Sequence, residues 1–130
     1  MQEVHDFLKK AKTFYLATVE DGQPRVRPFG AVHIFENKLY IITGKAKAVS
    51  KQMAENPYIE ICAVDGRNWL RIQAVAVADD RVEAKQSMLD TYPILQGLYK
   101  ADDDNTNVLY LKDAVATFLS FMNVEKVVEF

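Results

Sequence analysis

The spacing of the first three β-rich runs constrains this sequence most. Residues 13–19 (TFYLATV), 25–35 and 39–43 (LYIIT) are dense in aromatic and β-branched side chains, and only residues 20–24, with the turn Glu20-Asp21-Gly22-Gln23, and Glu36-Asn37-Lys38 separate them. Turns that short cannot carry a parallel crossover, which needs a dozen residues or more, so the three runs must form an antiparallel meander. The same signal returns at residues 58–64 and 69–78, joined by the hairpin turn Asp65-Gly66-Arg67-Asn68.

Between these strands the periodicity changes. Val4, Phe7, Leu8 and Ala11 recur at helical spacing over residues 2–12, and Ala46, Val49 and Met53 do so over residues 46–56, where Pro57 ends the helix. Asp80 followed by Glu83 resembles a capping pair that opens a helix over residues 81–92, with a further helical turn at 94–99. Residues 108–112 and 116–121 supply a last strand or pair of strands, and 126–130 an added edge. Six or seven strands with peripheral helices predict a mainly β chain, an antiparallel barrel rather than an α/β sheet.

At 130 residues the chain suits one domain spanning residues 1–130, and 49% apolar content argues against disorder. A net charge of −2 argues against a general nucleic-acid binder, which needs a basic face. Cys62 is the only cysteine, so no internal disulfide forms and a reducing cytoplasm is expected. No apolar run is long enough to span a bilayer, and the first fifteen residues lack the apolar stretch of a signal peptide, so no membrane role is expected.

Three segments could carry chemistry. Thr43-Gly44-Lys45-Ala46-Lys47-Ala48-Val49-Ser50-Lys51 runs a strand directly into a helix N-terminus, where unbonded N–H groups and the helix dipole favour an anion. Lys47 and Lys51, four apart, share a helical face beside Ser50, a set suited to a terminal phosphate; the plainer reading is a solvated surface. Arg25 and Arg27 alternate with Val26 and Pro28, so both arginines face one side of a strand. Pro28 fits a sheet edge or an irregularity that leaves main-chain groups for a ligand, or simply an edge protected against aggregation. Trp69, Arg71 and Gln73 share one strand face, suited to a flat ring, a subunit interface or ordinary packing. His5 and His33 lie in no metal-ligand spacing with Cys62 or a carboxylate.

In order and spacing, FYLATVEDGQPRVRPFG, LYIITGKAKAVSKQMAENP and NWLRIQAVAVADDR resemble the pyridoxamine 5'-phosphate oxidase-like group of FMN-binding split barrels, a likeness running from Phe14 to about Phe121. The resemblance implies a six-stranded antiparallel split barrel whose two subunits share two flavin mononucleotide (FMN) sites. Carried over by position, Arg27, Pro28 and Phe29 would lie along the flavin ring, and Thr43 and Gly44 would border the ring and ribityl chain. Lys47 with Lys51 would meet the phosphate, and Trp69 and Arg71 would come from the partner subunit or the shared interface. The chain departs from the family's oxidases in having Lys47-Ala48-Val49 where they typically carry Ser-Arg-Lys. The expected function is flavin-dependent oxidation or reduction of a small molecule by a homodimer, without efficient oxidation of pyridoxamine 5'-phosphate. The alternatives are a non-catalytic flavin carrier or redox sensor, or a barrel that binds deazaflavin or haem.

Overall fold

A computed structural model of the chain describes residues 1–121 and 123–130. Helix α1 (Gln2–Ala11) leads into strands β1 (Phe14–Glu20), β2 (Gln23–Phe29), β3 (Val32–Phe35) and β4 (Lys38–Gly44). Helix α2 (Ala48–Glu55), strands β5 (Tyr58–Asp65) and β6 (Asn68–Ala78), and helix α3 (Val82–Thr91) follow. A 3-10 turn (Pro93–Gly97), strand β7 (Thr106–Leu119) and strand β8 (Val124–Glu129) complete the chain. None of the described helices is long and apolar enough to cross a membrane.

The tight turns follow the sequence. Asp21 and Gly22 take the left-handed conformation (φ 51° and 78°) that a two-residue hairpin requires, and Gly66 (φ 63°) does so between β5 and β6. At Glu36-Asn37 two non-glycine residues accept φ values of 48° and 59° to close the β3–β4 hairpin.

All strand pairs are antiparallel, and the sheet runs β2-β1-β5-β6-β7-β4-β3, with β8 attached to β7. Its two terminal strands, β2 and β3, are consecutive in the chain and joined by Gly30-Ala31 alone. The sheet therefore has to curl until its edges meet, which makes a barrel closed along this seam by covalent chain instead of a hydrogen-bonded ladder. By hydrogen bonding the described residues form eight strands, where the residues predict six or seven and the resemblance six. The expected strand over residues 25–35 is two strands, because its first half pairs with β1 and its second with β4. β8 adds the eighth.

The two runs expected at 108–112 and 116–121 are instead one strand of 14 residues, β7. It pairs with β6 on one side, and its register slips around Asp113 (φ 51°), a bulge that bends the strand. On its other side β7 pairs with β4 through Thr106–Tyr110 and with β8 from Val115 onward. The expected cap at Asp80 is also corrected. Arg81 occupies the position before α3 with no side-chain cap, while the Asp80 carboxylate lies 3.0 Å from the Lys45 ammonium.

Inside the barrel an apolar cluster gathers Phe14, Leu16, Leu39, Ile41, Ile61 and Leu70, together with Val4 and Leu8 of α1. A second cluster lies outside the barrel under α3, where Tyr40 and Ile42 from the opposite face of β4 meet Met88, Leu89, Tyr99 and Val108. Strand β4 is thus buried on both faces, and its end is fixed from every side.

Candidate functional site

The ends of β2 and β4, the start of α2 and the segment after α3 enclose a cleft of about 340 Å³. Pro28 and Phe29 bring β2 to it, Ile42 and Thr43 bring β4, and Lys47 stands at the head of α2. The facing wall is Tyr92, Ile94, Leu95, Leu98 and Tyr99. The fold thus brings together four of the expected contact residues, Pro28, Phe29, Thr43 and Lys47. Gly44 adjoins them, packed so that a Cβ there would lie 3.1 Å from the Asn105 amide and 3.5 Å from the Tyr99 ring. Any side chain at that position would push against this packing.

The head of α2 is suited to an anion. Lys47 precedes the helix in an extended conformation without capping it. The N–H groups of Lys45 and Ala46 are taken by Asn105, and that of Lys47 by the Gly44 carbonyl. Those of Ala48 and Val49 donate to no acceptor among the described residues. Lys47 and Lys51 are both exposed. Ser50 turns the other way: its buried hydroxyl donates to the Gly44 carbonyl at 2.7 Å and accepts from the Asn107 amide at 3.0 Å. It fixes the strand-to-helix turn from within.

Arg27 faces away from Pro28, by strand alternation. Its guanidinium donates to the Thr18 hydroxyl at 2.7 Å, to the Leu16 carbonyl at 3.2 Å and to the Gln52 side chain on α2. Gln52 in turn donates to Glu20. Burial, then the neighbouring Arg25, lowers the Arg27 pKa from its ordinary value, while Glu20 acts in the opposite direction. Arg27 therefore ties α2 to the β1–β2 hairpin. Arg25 lies on the same face and pairs with Glu20 at 3.4 Å. The irregularity expected around Pro28 is absent, since β2 pairs with β1 in unbroken register to Phe29 and departs only at Gly30. The sheet-edge reading of Pro28 holds.

Trp69 and Arg71 line no part of the cleft. They lie on the outer face of β6, three strands from β2, with the Arg71 guanidinium 5.7 Å from the centre of the Trp69 ring and 4.0 Å from Glu60. The 92–99 wall was not anticipated. Its only local signal was apolar content, and Ile94 and Leu98 are unusual in being 86% and 73% exposed.

The model of the pyridoxamine 5'-phosphate oxidase family matches residues 1–117. The chain belongs to this family. Among solved structures, a NimC/NimA family protein from Clostridium acetobutylicum is 40% identical over the whole chain and 93% of its own length, with a TM-score of 0.95. A pyridoxamine 5'-phosphate oxidase-related, FMN-binding protein from Nostoc punctiforme is 20% identical over 94% of this chain and 83% of its own, with a TM-score of 0.69. HutZ, the heme storage protein of Vibrio cholerae, is 19% identical over 85% and 87%, with a TM-score of 0.67. The last two are likenesses of fold. No curated protein matches the chain.

Proposed function

We propose that this family member is an FMN-binding flavoprotein that oxidises or reduces a small molecule, working as a cytoplasmic homodimer. The observation that carries the reading is the composition of the cleft. An apolar slot of Pro28, Phe29, Ile42, Leu95 and Leu98 has Lys47 on its wall, at the head of α2, where the N–H groups of Ala48 and Val49 donate to no described acceptor. A flat ring with a phosphate tail matches that arrangement, and the FMN-binding relative from Nostoc punctiforme shares the fold. Bound there, the flavin supplies the redox chemistry. Pro28, Phe29 and Thr43 would hold the ring, Lys47 and Lys51 would neutralise the phosphate, and Ser50 would keep the turn beneath it rigid. Leu95, Leu98 and Ile94 would exclude water from the ring.

The substrate is better read as uncharged than as pyridoxamine 5'-phosphate. Lys47 is the one cation on the cleft wall among the described residues. Arg25 is paired with Glu20, Lys45 with Asp80, and Arg71 lies on another face. A second phosphate would enter without its own cationic partner and would lose hydration without compensation. A haem reading finds no histidine on the wall: His33 is bonded to Ser87 and Thr91, and His5 sits on α1.

The dimer reading rests on the outer face of the sheet. There Tyr15, Val19, Tyr58 and Val64 are exposed, and a depression of about 600 Å³ bordered by Val19 and Tyr58 runs across β1, β5 and β6. Trp69 and Arg71 lie on that face, which accounts for their distance from the cleft within one chain. Two-fold pairing is the commonest assembly of soluble chains. Sedimentation should show a dimer at micromolar concentration, and a monomer alone would remove this part of the reading.

FMN titration followed by fluorescence quenching tests the cofactor. The wild-type chain should bind FMN and, more weakly, riboflavin. Lys47→Ala should weaken FMN by about tenfold, the scale of one charged hydrogen bond, and leave riboflavin unchanged. A chain that ignores FMN at tens of micromolar is no flavoprotein. Turnover of reduced flavin by an uncharged acceptor such as a quinone separates an enzyme from a carrier or sensor.

A further inference from the structure

Four side chains on the cleft wall end in a polar group: Thr43, Lys47, Tyr92 and Tyr99. The Tyr92 hydroxyl is committed to the backbone, donating to the Val32 carbonyl at 2.9 Å and accepting from the Val32 N–H at 3.1 Å. Tyr99 differs. It is 7% exposed, yet its hydroxyl makes no hydrogen bond with any described residue; only its backbone is bonded, the N–H donating to the Leu95 carbonyl. No fully buried side-chain nitrogen or oxygen among the described residues lacks a partner, so the unbonded Tyr99 hydroxyl keeps an opening to the surface. A phenol on a cleft wall, with its ring packed and its hydroxyl free and accessible, is placed to bond a ligand seated there.

The position of the ring indicates which part of the cleft it serves. A Cβ built on Gly44 would lie 3.5 Å from Tyr99 Cε1, the ring carbon next to the one that bears the hydroxyl. The phenol end therefore stands at Gly44, next in the chain to Thr43, whose own hydroxyl is likewise unbonded among the described residues. Ring and backbone are both held. The ring packs in the cluster of Ile42, Met88 and Leu89, and the 3-10 turn anchors the chain just before it.

We infer that Tyr99 is a cofactor-recognition residue whose hydroxyl donates a hydrogen bond to the heteroatom edge of the flavin ring seated on Thr43 and Gly44. The inference rests on the FMN reading above and adds to it a donor for the ring itself. The reduced ring carries more negative charge than the oxidised ring, and a donor bonds more strongly to charge. Tyr99 therefore favours the reduced form and raises the midpoint potential.

Tyr99→Phe is the test, with affinity and potential both measured. Because the hydroxyl bonds no described residue, the thermal midpoint without ligand should stay the same or rise. FMN and riboflavin should weaken together, by about twofold to tenfold, as for one neutral hydrogen bond. The potential of the bound flavin should fall; a tenfold loss of preference for the reduced form is about 30 mV for a two-electron couple. If wild type binds neither ligand, the flavin reading itself fails. If wild type binds and Tyr99→Phe matches it in affinity and potential, only this assignment fails. Loss of FMN binding with riboflavin unchanged would also overturn it, by moving Tyr99 to the phosphate.

Discussion

The two faces of β4 feed two different cores. Leu39 and Ile41 point into the barrel, where the buried cluster is apolar throughout. Tyr40 and Ile42 point outward under α3, into a cluster that includes two buried tyrosines. The tyrosines are treated in opposite ways. Tyr40 donates to the Asp79 carboxylate at 2.8 Å, and Arg81 grips that carboxylate in turn, whereas the Tyr99 hydroxyl, beside the cleft, bonds no described residue. The inner cluster serves stability alone. The outer one divides its polar atoms between the Tyr40–Asp79–Arg81 bonds at the approach to α3 and the cleft wall.

The largest effect should come from the inner cluster. Leu16→Ala removes a fully buried side chain and should cost about 2–5 kcal/mol in urea unfolding, as cavity-forming substitutions do. FMN affinity of the folded fraction should stay at the wild-type value. A parallel loss of affinity would show that the two clusters are not separable.

A smaller effect is expected at Tyr40, and it should depend on pH. Hydrogen bonds from Arg81, the leading cause, and from Tyr40 hold the Asp79 carboxyl down at about 2 against the ordinary 3.8, while burial and Asp79 push the Tyr40 phenol up to about 12. For a carboxylate lowered in this way, the stabilisation is fully present above the unfolded value and is lost as pH falls through the folded one. Tyr40→Phe should therefore cost about 1–3 kcal/mol at neutral pH, in the range of a bond to a charged acceptor. That difference should narrow as pH falls from about 4 to 2. Tyr99→Phe, by contrast, should show no stability loss at any pH. A cost for Tyr99→Phe equal to that of Tyr40→Phe would erase the distinction between them.

Much of this architecture is legible in the residues. Asp21-Gly22 and Gly66 specify hairpins because the left-handed turn needs them, and Thr43 to Lys47 announces a strand passing into a helix. Pro28 fits β2 as an edge, one of the two readings that it left open. The change of partner at Gly30-Ala31 was not legible, because Val26, Phe29, Val32 and Ile34 continue one β pattern while hydrogen bonding shifts from β1 to β4. Gly30 itself gives no steric warning, since a Cβ there would meet only an ordinary 3.7 Å contact. Tyr99 was invisible for a related reason. Its meaning lies in a hydroxyl without a partner, and a missing contact leaves no mark on the sequence. The direction of Ser50 and the network that ties up Arg27 depend on Asn107, Gln52 and Thr18, which only the folded chain brings near.

The seam between β2 and β3 has a consequence for the order of events when the chain is made. Pro28 through Lys47 all emerge early from the N-terminal side, but β4 pairs with β7, whose first residue is Thr106. Pairings so distant in sequence form late, because a long loop must close before they reward the chain. Tyr99 and the rest of the opposite wall also emerge after β6. The cleft is therefore among the last surfaces to exist, and a ligand that needs both walls arrives at a finished barrel. Such a ligand cannot speed the folding that builds its own site. It acts as a lock, stabilising the closed form and slowing its opening.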